Sequence, residues 1–127
     1  MERVRGIGGF FFAAADPDAA SRWYAEHLGV DPVPESYGAP SWQQEAGPTV
    51  LAAMPAGTEH LGPGRSWGIN FRVRDLDAMV VQLRAAGIEV VVDPTAYPNG
   101  RFADLRDPEG NSVQLWEPGG VDAPPAT

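Results

Sequence analysis

Apolar residues recur along the first half of the chain in short runs and at helical spacing. The run at 7–13 predicts a buried strand. A helix follows: Asp16 is its N-cap, a proline and an acidic residue come next, and Gly29 ends it. Two further stretches, 41–45, which contains Trp42, and 49–54, predict strands separated by a Gly-Pro turn. The first half therefore predicts the order strand, helix, strand, strand.

The second half repeats this pattern. A strand is predicted at 67–73, followed by a helix with Asp75 as N-cap and Gly87 as its stop. Strands at 88–92 and 101–106 come next, and a last strand follows a tight turn. The shared order and the matching caps indicate an internal repeat of two supersecondary units.

The repeat predicts one α+β domain over 1–118. Its two βαβββ modules, 7–55 and 67–118, are expected to form a curved mixed sheet around a concave cleft, because one module cannot cover its own apolar face. A glycine-rich segment at 56–66 joins them. The tail, 119–127, is rich in proline and glycine and is predicted to be disordered.

The last predicted turn and strand pose the main question about function. Residues 107–111 read Asp-Pro-Glu-Gly-Asn, which suits a tight turn. After the turn, alternation puts Val113, Leu115 and Glu117 on one face of the strand. A carboxylate that ends an apolar strand face lies either in water at the edge of the sheet or at the bottom of a binding site. On the preceding strand, Arg101 either faces the cleft and binds an anionic group or solvates the acidic surface, and Asp104 is assigned to the solvent.

Composition narrows the class of protein. The chain has 127 residues, no cysteine and a formal net charge of −8. The missing cysteines exclude disulfide frameworks, thiolate metal sites and cysteine nucleophiles, and they fit a reducing compartment. The acidity argues against nucleic acid as a partner. No segment has the length of a signal peptide or a membrane span, which predicts a cytoplasmic protein without a membrane partner.

The order of elements resembles the vicinal oxygen chelate superfamily. Two motifs carry the resemblance: Trp-Tyr-Ala-Glu-His-Leu-Gly at 23–29, and Asp-Pro-Glu-Gly-Asn followed by Val-Gln-Leu-Trp-Glu-Pro at 107–118. This group includes glyoxalase I, extradiol dioxygenases and bleomycin resistance proteins. The resemblance spans nearly the whole chain and implies the fold. It does not select one function, because the superfamily contains both binding proteins and enzymes.

The resemblance also implies where a metal would bind. Members with a metal usually place ligands on the first strand of each module and on a last strand. Those positions correspond here to Gly9, Gly68, Met54 and Glu117, of which only Glu117 matches. Since a catalytic divalent ion typically has three protein ligands, no cofactor is expected. A divalent metal on Glu117 remains the alternative, with His60 or a partner chain supplying further ligands.

The same correspondence predicts a ligand site on the cavity face. Alternation from Gly68 places Asn70 and Arg72 on that face, and Arg72 is expected to pair with Glu117. The pair either orients a ligand or is purely structural. The predicted ligand-binding residues combine an apolar wall with this small polar group: Phe11, Trp42, Trp67, Asn70, Arg72, Leu115 and Glu117.

These expectations favour a homodimer that binds a small organic molecule without a metal. Bulky aromatic or cationic compounds are the expected ligands, because an acidic protein attracts cations. The alternative is a metal-dependent lyase, isomerase or dioxygenase of the same superfamily. A third possibility is an interaction protein whose cleft binds nothing. An exposed sheet edge or apolar patch would hold the dimer together.

Overall fold

The computed structural model describes residues 1–125. Its first helix, α1, covers Pro17–Trp23 and continues as a π-helical turn over Tyr24–Leu28. Asp16 is the N-cap and accepts a hydrogen bond from the N–H of Ala19. Gly29 ends the helix in the left-handed conformation, with φ of 72°. Both predicted ends of this helix are confirmed.

A four-stranded mixed sheet and a second helix, α2, form the second half of the domain. Their bounds are β1 (Gly68–Arg72), α2 (Leu76–Ala85), β2 (Val91–Val92), β3 (Gly100–Arg106) and β4 (Ser112–Pro118). The strand order is β1-β4-β3-β2; β1 runs parallel to β4, and the other pairs are antiparallel. This arrangement confirms the predicted α+β class and the strands of the second module. Asp75 caps α2, also as predicted.

One face of the sheet is buried against the helices. Val113 and Leu115 of β4 are 0% exposed, and Ala103 and Leu105 lie beside them on β3. The helices contribute Tyr24, Leu76, Val80 and Leu83 to this core, and Val90, just before β2, also belongs to it. Each such aliphatic side chain contributes about 1.5–3 kcal/mol of transfer free energy when it leaves water.

The tight turn after β3 is fixed by a buried carboxylate. Asp107 accepts hydrogen bonds from the N–H groups of Glu109 (2.9 Å) and Asn111 (2.8 Å) and from the amide of Asn111 (2.9 Å). Its Oδ2 also accepts from the hydroxyl of Tyr24 at 2.6 Å. Burial, and after it this hydrogen bond and the charge of Asp107, raise the pKa of Tyr24. The contact joins the first helix to the last turn.

The first half differs from prediction. The strands predicted at 7–13, 41–45 and 49–54 do not form: in the described residues before Gly68 no strand is present. A strand needs a hydrogen-bonded neighbour, and within residues 1–125 no other segment pairs with these. Large apolar side chains of the three segments consequently remain exposed: Ile7, Phe10, Phe11, Trp42, Val50, Leu51 and Met54.

The tail predicted to be disordered begins with a short turn of 3-10 helix at Gly120–Asp122. The last two positions of that prediction, 126–127, lie outside the described residues.

Candidate functional site

The sheet face opposite the helices, called here the open face, carries most of the polar side chains. Alternation along the three longer strands places there Gly68, Asn70, Arg72, Phe102, Asp104, Arg106, Ser112, Gln114 and Trp116. Neither helix packs its buried side chains on this face, since the core lies on the other side. Trp116 is buried and Arg72 contacts Glu45, so a ligand would reach this face at its exposed side chains, Asn70, Asp104 and Arg106.

A row of polar side chains crosses the open face. The register sets Asn70, Gln114 and Asp104 side by side on three neighbouring strands. The amide of Asn70 donates to Oε1 of Gln114 at 2.8 Å, and Gln114 in turn donates to Asp104 at 3.3 Å. Partial burial raises the pKa of the Asp104 carboxyl, and the hydrogen bond from Gln114 opposes that shift. The row ends in a carboxylate and presents both donors and acceptors.

Aromatic rings lie next to this row. The rings of Phe102 and Trp116 are parallel, with an interplanar angle of 2° and centroids 6.2 Å apart. The indole N–H of Trp116 donates to the carbonyl of Asn99 at 2.8 Å, so its polar atom is satisfied. Tyr97 packs edge-on against Phe102 at 5.8 Å. Trp116 is only 4% exposed, so the accessible apolar surface beside the amide row comes from Phe102 and Tyr97. Such a combination of apolar and polar groups is typical of small-molecule sites.

A cavity of about 540 Å³ adjoins the start of β1. Residues 52–58 form one wall, and residues in the range 61–68 form the other, including Leu61, Trp67 and Gly68. A β-carbon on Gly68 would lie 2.9 Å from Cδ2 of Leu61, so the glycine keeps space between strand and loop. Asn70 lies two residues along β1 from Gly68, so the polar row crosses the strand whose first residue lines this cavity.

Several predicted site residues lie where a ligand could contact them. Asn70 and Arg72 are on the open face, and Trp67 lines the cavity. Phe11 is 91% exposed. Its ring lies close to Gly9, because a β-carbon on Gly9 would be 3.0 Å from Cζ of Phe11. Trp42 is 38% exposed, on the segment that precedes the cavity wall.

Two predicted site residues lie on the other side of the sheet. Leu115 is fully buried in the core. The Oε1 atom of Glu117 accepts a hydrogen bond from the N–H of Leu76 at 2.9 Å, at the start of α2. The predicted pair of Arg72 and Glu117 does not form, because Arg72 donates instead to the carbonyl of Glu45 at 2.8 Å. The cross-strand neighbour of Arg72 is Trp116.

The sequence did not identify Gln114, Trp116 and Phe102 as site residues, and it assigned Asp104 only to solvent. Its alternation contained the signal for β4: Gln114 and Trp116 alternate with the fully buried Val113 and Leu115. The choice of face depends on which side the helices cover, and the sequence pattern of a single strand does not reveal this.

The positions that the resemblance reserves for metal ligands do not fit a metal. Gly9 and Gly68 have no donor side chain, and Glu117 is engaged at the start of α2. Over residues 1–125, no three histidine, aspartate or glutamate side chains are grouped closely enough to hold an ion. His60 lies on a 3-10 turn at Glu59–Leu61, near Asp104 rather than near Glu117. Within the same residues, no helix is long and apolar enough to cross a membrane.

Comparison with known proteins gives a family match over most of the chain. The family model described as Glyoxalase/Bleomycin resistance protein/Dioxygenase superfamily matches residues 6–115. The CFP32 protein of Mycobacterium tuberculosis, named as a candidate glyoxylase, is 35% identical over 75 residues. That alignment covers 58% of this chain but only 26% of CFP32, so the chain spans about a quarter of that relative's length.

Solved structures with the same fold include binding proteins and enzymes. TnmS3, an antibiotic binding protein from Streptomyces sp. CB03234, superposes with a TM-score of 0.61 at 23% identity, covering 94% of this chain and 100% of TnmS3. A lactoylglutathione lyase from Agrobacterium tumefaciens superposes with a TM-score of 0.57 at 22% identity, covering 91% of this chain and 96% of the lyase. At these identities the likeness establishes the fold alone.

Proposed function

The chain belongs to the glyoxalase/bleomycin resistance protein/dioxygenase superfamily, and we propose that it binds a small organic molecule on the open face of its sheet without a metal. The observation that carries this proposal is the polar row of Asn70, Gln114 and Asp104, on a sheet whose first strand begins at the cavity with Gly68. A cavity of this size, with apolar walls and few convergent polar groups, is typical of a small-molecule site.

The side chains of the row can orient a ligand but supply no evident chemistry. The amides of Asn70 and Gln114 are neutral, and neither is a nucleophile or a general base at ordinary pH. Asp104 could accept a proton, but no second titratable group hydrogen-bonds to it. TnmS3, which shares the fold, is an antibiotic binding protein, and this supports binding as a function that the fold can perform.

The proposal that binding needs no metal rests on the side chains at the positions that the resemblance reserves for metal ligands. The one carboxylate that the resemblance reserves for an ion, Glu117, faces the helix side and accepts from the backbone of α2. The metal-dependent lyase, isomerase or dioxygenase of the alternative would therefore need a ligand set that these positions do not provide.

We also propose a homodimer. Exposed apolar side chains at 7–13, 41–45 and 49–54 belong to segments whose sequence favours strands but which have no strand partner within the described residues. One edge of the sheet is also unpaired, because β1 is the outermost strand. A second copy offers both an edge for pairing and an apolar surface of the same composition.

The binding proposal is tested with a fluorescent aromatic probe. Anthracenemethanol is titrated with wild-type protein, and the anisotropy of its fluorescence is followed. Saturable binding of one probe per chain is expected. Gly68→Val should weaken it, because the added side chain fills the cavity beside Leu61. Gly8→Val is the matched control, since a β-carbon at Gly8 contacts nothing. If neither this probe nor its charged analogues bind saturably, the proposal is wrong.

A further inference from the structure

An arginine on the cavity wall is held by neutral oxygens. Arg65 lines the cavity beside Ser66 and Trp67. Its Nη1 donates to Oδ1 of Asn111, and its Nη2 donates to the carbonyl of Glu109, both at 2.9 Å. Two of the five N–H donors of the guanidinium are thus engaged, and the others remain for a further partner.

The surroundings fix the position of this guanidinium. Asn111 is only 3% exposed, and its amide donates to Asp107, which also accepts from Tyr24. Gly110 allows the guanidinium to approach: a β-carbon there would lie 2.7 Å from Nη2 of Arg65. The same glycine has φ of +81°, a backbone conformation that residues with a side chain rarely adopt. These contacts hold the guanidinium of Arg65, an exposed residue, against the turn at 107–111.

The positive charge of Arg65 has no carboxylate partner. Over residues 1–125 the one ion pair is between Arg101 and Asp77. The carboxylate of Glu109, the nearest acidic residue in the turn, accepts from the N–H of Ala15 instead. A cation held in place on a cavity wall and bonded only to neutral oxygens is suited to a negatively charged group.

We infer that the cavity takes an amphipathic anion, whose carboxylate or phosphate binds Arg65 and whose apolar body packs on Met54, Leu61 and Trp67. This inference rests on the proposed function and specifies its ligand class. The net charge of −8 does not prevent an anion from binding in direct contact with Arg65. Charges farther away than about 8–10 Å are largely screened at physiological ionic strength, whereas charge-assisted hydrogen bonds act at about 2.7–2.9 Å.

The test compares probes that share one aromatic body and differ in charge. Anthracene carboxylate, anthracenyl phosphate, anthracenemethanol and anthracenemethylammonium are titrated against the wild-type protein by fluorescence anisotropy. At least one of the two anions should bind about tenfold more tightly than the neutral probe. The stronger of the two identifies the oxyanion that the site prefers. Equal binding of all four, or preference for the ammonium, would overturn the inference and leave the proposed binding function standing.

A matched pair of variants assigns the effect to one residue. Arg65→Gln should remove the preference for the anion while leaving binding of anthracenemethanol within about twofold. Arg22→Gln changes the net charge equally, at an exposed position on α1, and should leave the preference intact. Loss of the preference in both variants, or in neither, would contradict a specific role for Arg65.

A measurement on the wild-type protein tests the same inference without depending on whether the Arg65 variant folds. Phenylglyoxal modifies accessible arginines, and peptide mass spectrometry reports each site. Anthracene carboxylate should protect Arg65 and not Arg22, and anthracenemethanol should protect Arg65 less. Equal modification of Arg65 with and without the bound anion would overturn the inference. If no anthracene probe binds at all, the proposed function fails together with it.

Discussion

The carboxylate of Glu117 accepts a hydrogen bond from the backbone N–H of Leu76 at 2.9 Å. Leu76 is the first residue of α2, and its N–H has no partner within the helix. Asp75, the N-cap, accepts from Ala78. The two carboxylates thus satisfy different N–H groups at one helix start, where negative charge is favourable. Glu117 is a structural residue in this arrangement.

Glu117→Ala should lower the free energy of unfolding by about 0.5–2 kcal/mol, the usual cost of losing such a cap. Glu117→Gln should lower it less, because its amide oxygen can still accept the hydrogen bond. Urea unfolding measures both, and probe affinity should stay the same. A variant of normal stability that no longer binds the probe would show that Glu117 belongs to the site.

Tyr24→Phe should destabilise the fold. The substitution removes a hydrogen bond of 2.6 Å to Asp107, in a position where both groups are buried. Hydrogen bonds to charged groups contribute about 1.5–3 kcal/mol, and a loss in this range is expected in urea unfolding. Tyr97→Phe is the control, because its hydroxyl donates to Asp93 at an exposed site. A smaller loss for Tyr24→Phe than for the control would contradict the account of the turn.

The same tyrosine predicts a fall in stability at alkaline pH. Its pKa is raised in the folded state, while tyrosine in unfolded chains titrates near pH ~10. Above that pH the unfolded state loses this proton and the folded state keeps it, so stability falls by up to about 1.4 kcal/mol per pH unit. The sequence has no lysine, which leaves few other groups to titrate there. Tyr24→Phe should show a shallower decline, and an equal slope would exclude this cause.

Gln114→Leu should weaken binding of anthracenemethanol and of its anionic analogues. It removes the middle of the polar row and leaves Asn70 and Asp104 without their shared partner. A loss of about threefold to thirtyfold in affinity is expected from one or two hydrogen bonds. Gln82→Leu, an exposed change on α2, is the matched control. Equal affinity of the two variants would place the ligand elsewhere.

Leu51→Glu should produce monomers. Leu51 is 93% exposed in the first half of the chain, where the proposed contact between copies lies, and a charge there opposes burial. Val81→Glu introduces the same charge on α2, at a residue 69% exposed, and should leave the dimer intact. Sedimentation velocity distinguishes the two states. A monomeric wild-type protein, or a monomer produced by the α2 change alone, would contradict the proposed interface.

Local sequence signals predicted the helices and the second module well. The N-caps Asp16 and Asp75 and the stop at Gly29 depend on side chains within one turn of the helix end, and the sequence shows these directly. The turn at 107–111 was identified for the same reason. The partners of Asp107 outside the turn, above all Tyr24, required the tertiary structure.

Non-local relationships explain what the sequence did not predict. Alternation grouped Leu115 with Glu117 correctly, but only the packing of the helices shows that both face away from the open face. The strands predicted at 41–45 and 49–54 failed for a related reason. Strand propensity depends on a neighbouring strand, and residues 1–125 supply none for them.

The measurement that tests the central claim most directly is probe affinity with and without metal. Anthracenemethanol and anthracene carboxylate are titrated with wild-type protein in excess EDTA, and again after zinc, manganese, nickel or ferrous iron is added. Metal content is measured by mass spectrometry on the same samples. Binding on the open face without a metal predicts one dissociation constant for each probe throughout. Binding that appears only with near-stoichiometric metal, and disappears in Glu117→Ala, would contradict it.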